Sequence, residues 1–123
     1  MIHLPPKPVV TLQSVVETID SPGRGTTFFP FPMPVYPSRM LQAGVEGEVV
    51  VRVVVGKDGT VQNSLVVKSS RPEFGESAAS ALQRWRFIEF RDLGVRESKE
   101  MILDCTIKFT TSFDEDLLHF LSI

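Results

Sequence analysis

The chain has 123 residues, 42% of them hydrophobic and 23% charged, which is one domain's worth of ordinary globular composition and excludes collagen-like, coiled-coil and pervasively disordered chains. The formal net charge is −2, so the basic surplus that phosphate contacts demand of a nucleic-acid binder is missing. A single cysteine, Cys105, excludes an internal disulfide framework and any CxxC metal or redox site.

The lead-in is compositionally distinct. Eight of the nine prolines lie within residues 1–37, and PPKP and PFPMPVYP favour extended backbone because proline fixes φ and lacks an amide donor. The N-terminus, MIHLPPKPVV, has no basic stretch followed by an apolar one, so no signal peptide is expected. Leu12, Val15, Val16 and Ile19 fall at helical spacing, whereas Val10 and Leu12 against Val9, Thr11 and Gln13 suit a strand; both readings stand. Phe28, Phe29 and Phe31 are too apolar for an idle linker and are expected against the folded module or a partner. Residues 1–35 are read as a Pro-rich lead-in, and residues 36–123 as the module.

Pro37 is well placed to open a short helix through SRMLQA, which Gly44 closes. From Gly47 the run EVVVRVVV predicts a strand with Val49, Val51, Val53 and Val55 on one face. Arg52 breaks the valines, far short of the about 20 apolar residues a membrane span needs. Asp58-Gly59 predicts a hairpin turn, with a return strand over Thr60–Lys68. Ser69 and Ser70 are placed to cap the next helix. There Phe74, Ala78, Ala81, Leu82 and Trp85 share one stripe, and Arg84 and Arg86 suit the C-terminal end of the dipole. RDLG reads as a loop. Met101, Leu103, Cys105, Ile107 and Phe109 alternate strictly with Ile102, Asp104, Thr106, Lys108 and Thr110, as in a half-buried antiparallel strand. Ser112 and Glu115 form a capping box for a short terminal helix over 113–122.

The order helix–strand–strand–helix–strand, followed by that terminal helix, predicts an α+β fold: a three-stranded antiparallel sheet with two helices packed on one face. Catalysis finds no footing. There is no Ser/His/Asp order, no HExxH and no phosphate loop, and GKDG belongs to a hairpin. Glu100 and Asp104 sharing a strand face is a common surface arrangement. His3 and His119 lie near opposite ends, and neither a metal nor a cofactor is expected. Cys105, on the apolar face of its strand, reads as a buried structural thiol.

Tyr36-Pro37, Gly44-Val45-Glu46-Gly47, the valine strand, Asp58-Gly59-Thr60-Val61, Val67-Lys68-Ser69-Ser70 and Ala78-Ala79…Leu82…Trp85-Arg86-Phe87 occur in that order. Together they resemble the C-terminal domain of TonB energy transducers, over roughly Tyr36–Thr111. The resemblance implies two helices on a three-stranded sheet, a place in the Gram-negative periplasm, and binding of the extended box peptide of a TonB-dependent outer-membrane transporter at the edge of the last strand. That edge maps to Ser98, Glu100, Ile102, Asp104, Thr106, Lys108 and Thr110, with Tyr36, Pro37, Arg84 and Arg86 as secondary partner contacts. The family's membrane anchor is not visible in this chain, and Phe-Pro-Met-Pro-Val before Tyr36 lacks a glutamine found near this point in the best-studied transducers.

An edge strand offers unpaired N–H and C=O groups to an added peptide. The same edge could pair two copies of the chain into a homodimer, the reading for a stand-alone scaffold protein. It could also be closed by residues 1–35 or by the terminal helix, giving a self-inhibited binder.

Overall fold

The computed structural model describes residues 6–17, 25–90 and 100–112. Its elements are β1 (Lys7–Glu17), β2 (Gly25–Phe29), α1 (Ser38–Gln42), β3 (Gly47–Val55), β4 (Val61–Ser69), α2 (Pro72–Leu82), β5 (Arg86–Phe90) and β6 (Met101–Ser112). The segment expected as a terminal helix, 113–122, lies outside the described residues, as do Ser98, His3 and His119.

The valine alternation of β3 sets the layer structure. Val49, Val51, Val53 and Val55 are fully buried, and so are Cys105, Ile107 and Phe109 of β6 beside them. β3 pairs antiparallel with β6 from Gly47 opposite Phe109 to Val55 opposite Met101, nine consecutive pairs without a slip. On its other side β3 pairs with β4. These are the three strands expected from sequence, and β1 adds a fourth, giving the order β1-β6-β3-β4. Two strands, β1 and β2, come from the Pro-rich lead-in; β2 pairs with β5 in a separate two-stranded sheet.

The helices cover one face. Phe74, Ala78 and Leu82 of α2 are fully buried, and Met40 and Leu41 of α1 pack against the same core. Tyr36 lies edge-on to Phe74 and Phe109, at centroid separations of 5.6 and 5.5 Å. Such edge-to-face pairs are favourable beyond their buried area. The Tyr36 hydroxyl donates to the Val45 carbonyl, which ties the segment before α1 to the chain leaving it. Trp85 is buried as expected but lies past the end of the helix, where tight i→i−3 bonds from Arg84 and Trp85 wind up the last turn. Its indole N–H donates to the Pro32 carbonyl at 2.7 Å, so Pro32 is held against α2.

The expected serine cap is corrected. The N-cap of α2 is Arg71, with no side-chain cap. Ser70 Oγ instead accepts from the Glu48 amide at 3.1 Å, and Ser69 Oγ donates to the Arg71 carbonyl. Both hydroxyls stitch the end of β4 to its surroundings. Pro72 at the first turn supplies the helix start instead.

Two glycines hold left-handed backbone: Gly44 at φ +68° and Gly59 at φ +83°. A Cβ at Gly44 meets open space, whereas one at Gly59 drives into the Phe87 carbonyl. Gly59 also accepts the Phe87 amide at 2.8 Å, which joins the hairpin to β5. Gly44→Ala is therefore expected to lose only the left-handed preference, about 1–2 kcal/mol, and Gly59→Ala to lose more than that. Denaturant unfolding of the two variants checks the ranking.

Candidate functional site: the outer edge of β6

β6 has two faces and two edges. Its inward row is Met101, Leu103, Cys105, Ile107 and Phe109, all nearly or fully buried. Its outward row, Ile102, Asp104, Thr106, Lys108 and Thr110, is half-buried on the face away from the helices. Five of the seven candidate edge residues therefore share one face of one strand. Glu100 is exposed just before the strand begins.

The outward row is tied to β3. Arg52 Nε and a terminal nitrogen donate to the two carboxylate oxygens of Asp104 at 2.9 and 3.1 Å. This hydrogen bond, then the Asp104 charge, raises the Arg52 pKa above its ordinary value, and the guanidinium fork matches the carboxylate. Asp104 thus braces two neighbouring strands, an ion pair that Arg52 in the valine run could have suggested. Glu46 was not singled out from sequence. Its carboxylate accepts the Thr111 amide at 2.7 Å and the Thr111 hydroxyl, holding the end of β6 just beyond its ladder with β3.

The edge of β6 facing away from β3 is occupied. β1 lies along it antiparallel, from Lys7 opposite Ser112 to Glu17 opposite Leu103. The register slips by one residue between Leu12 and Ser14, leaving Gln13 as the extra residue of a bulge. Val10, Leu12 and Val15 face the core side, opposite Phe109, Ile107 and Cys105. Thr106, in mid-strand, pairs with Val50 on one side and Ser14 on the other. Closure of the edge by the lead-in is the arrangement observed.

The secondary contact residues separate. Tyr36 is inside the core, and Pro37 is half-buried at the start of α1. Arg84 and Arg86 are exposed. Arg84 flanks a groove of about 300 Å³ between α2 and the Pro32–Val35 segment, while Arg86 opens β5, opposite Phe29. Ser77 Oγ donates to the Val35 carbonyl and fixes that segment to α2.

A family model described as the Gram-negative bacterial TonB protein C-terminal matches residues 32–111. The chain belongs to this family. It is 42% identical over 55 residues to Protein TonB of Xanthomonas campestris pv. campestris, in strains B100 and ATCC 33913 alike; that stretch is 44% of this chain and 25% of the relatives, so the match spans about a quarter of their length. The solution NMR structure of the Pseudomonas aeruginosa TonB CTD is also similar, at 24% identity and a TM-score of 0.49, covering 84% of this chain and 97% of that one. The membership rests on the C-terminal unit alone, residues 32–111. The matched unit starts after β2 and runs to the end of β6, so the strand on the outer edge of β6 comes from outside it. Among the described residues no helix is long and apolar enough to cross a membrane, and no cluster of side chains could hold a metal ion.

Cys105 sits under this edge, fully buried. Burial first, and the Asp104 charge second, push its thiol up to about 12 from an ordinary 9.0. The unfolded chain therefore ionises at a lower pH than the folded one. The stability contributed by the neutral thiol is whole below pH 9 and is lost as pH rises toward 12. Cys105→Ala is expected to unfold with a shallower alkaline limb, the slopes differing by at most about 1.4 kcal/mol per pH unit. Denaturant midpoints of both proteins between pH 8 and 11 check this. Alkylation of Cys105 in the native protein should wait on opening of the fold.

Proposed function

We propose that this domain is a non-catalytic interaction module of the Gram-negative periplasm. It takes an extended peptide of a TonB-dependent outer-membrane transporter as an added strand on the outer edge of β6. The observation that carries the reading is β1 itself. A strand from outside the TonB C-terminal unit lies along that edge, so the edge has the geometry to receive one.

The chemistry suits a mobile partner. Backbone pairing supplies affinity with little demand on sequence, and alternate side chains supply specificity. Each added backbone hydrogen bond nets about 0.5–1.5 kcal/mol, against an association cost of about 4–15 kcal/mol. Aliphatic side chains over Phe109, Ile107 and Cys105 then have to supply the remainder, and binding near micromolar, about −8 kcal/mol, is the expected scale. The outward row contributes Thr106, Lys108 and Thr110 as polar neighbours of the incoming strand. Arg84 and Arg86 are second contacts, reached only by a partner that extends beyond the edge.

Titrating synthetic transporter-box peptides into the isotopically labelled chain tests the reading. Amide shifts concentrated in Met101–Ser112 and in β1 are expected. Shifts confined to α2 and the Pro32–Val35 groove would move the site to the helical side.

A further inference from the structure

We propose that β1 is a resident occupant of the partner edge, and that the partner's strand takes its place by displacing it. This rests on the strand-addition reading above and adds how the site is regulated and what kind of strand it prefers.

β1 is held like a ligand rather than like a core strand. It pairs with β6 along its whole length, yet none of its residues is buried, and Val16 is 57% exposed. By contrast, β3 on the other side of β6 has four fully buried valines. The β1 ladder is also interrupted. Six pairs run from Lys7 to Leu12, then Gln13 bulges out, and four more run from Ser14 to Glu17. A bulge leaves its extra residue unpaired and disrupts the ladder locally.

The core-side row of β1 reads Val10, Leu12, Val15 and Glu17, opposite Phe109, Ile107, Cys105 and Leu103. Three aliphatics match a deeply apolar row, and the fourth position sets a carboxylate against a leucine. An incoming strand improves on β1 in two ways: unbroken alternation, and an aliphatic residue opposite Leu103. The preferred partner is therefore a short extended segment with aliphatics at every second residue and no bulge. Only the fraction of molecules with β1 released is competent to bind, so the apparent dissociation constant exceeds the intrinsic one by the reciprocal of that fraction.

The test uses the full chain and a fluorescent synthetic transporter-box peptide, with the Lys7–Glu17 sequence as a second labelled peptide. Val15→Cys places a thiol opposite the native Cys105; refolding with oxidised glutathione joins the two sulfurs and locks β1 down. Leu12→Asp loosens β1 by setting a charge against Ile107. Far-UV circular dichroism confirms that each variant is folded. If Leu12→Asp does not fold, the oxidised and reduced forms of Val15→Cys decide the matter alone.

The expected result is box-peptide binding at least about tenfold tighter to Leu12→Asp than to wild type, and at least tenfold weaker to oxidised Val15→Cys than to the same protein reduced. Equal affinity in all forms would overturn displacement while leaving a peptide-binding role intact. Failure of the box peptide to bind any form, with the Lys7–Glu17 peptide still binding Leu12→Asp, would overturn the transporter reading and this proposal with it.

Discussion

Everything in this domain is referred to β6. Its inward side chains form the floor of the core, its ladder with β3 runs nine residues without a slip, and its far edge carries β1. The aromatic contact that closes the core, Tyr36 against Phe74 and Phe109, joins the entry to α1, the start of α2 and the end of β6. Three segments far apart in sequence meet there, so helix placement and strand placement are one packing problem. Glu46 and Asp104 extend this to the polar atoms: the first holds the Thr111 amide where the β3 ladder ends, and the second ties the outward face to Arg52.

How much of this was legible depended on whether a segment kept a single period. β3, α2 and β6 were readable because alternation or a helical stripe ran unbroken, β4 because the Asp58-Gly59 turn calls for a return strand, and Gly44 and Gly59 marked ends where left-handed backbone was needed. β1 was ambiguous for a definite reason. The bulge at Gln13 inserts one residue, so core-facing Leu12 and Val15 stand three apart, a helical interval in a strand. Strand β5 was hidden by its neighbour: Trp85 completes the α2 stripe in sequence, yet the helix stops at Leu82 and, after one tight turn, the chain extends from Arg86. The serines before α2 fit a capping pattern, but the backbone gave their hydroxyls nearer partners in Glu48 and Arg71.

The candidate site was legible as a strand and illegible as an edge. Alternation identifies Ile102, Asp104, Thr106, Lys108 and Thr110 as one face, and the family resemblance selects their strand. Neither says what lies beside it. Pairing partners are long-range facts, and a segment nearly 100 residues away in sequence leaves no mark on the local pattern of β6. Tyr36 illustrates the converse. Its position before Pro37 suggests a contact at a helix entry, and its ring is spent on the core instead.

The two edges of the four-stranded sheet are managed differently, and the difference bears on function. β4 forms one edge and carries both of the extra residues in its pairing with β3, near Val67 and near Gln62. Bulges twist an edge away from further pairing, and an edge lysine such as Lys68 discourages it electrostatically. That edge tolerates exposed Leu65 and Val67 without offering a flat template. β6 has no such device: it is regular, and its inward row is wholly apolar. A regular strand of this kind is a good template for any extended chain, its own or another's, and left bare it invites aggregation. Covering it with β1, a bulged strand from outside the matched residues 32–111, satisfies its backbone groups. On the proposed strand-addition reading, protection and recognition use the same hydrogen bonds, and selectivity lies in the side-chain row where β1 sets Glu17 opposite Leu103.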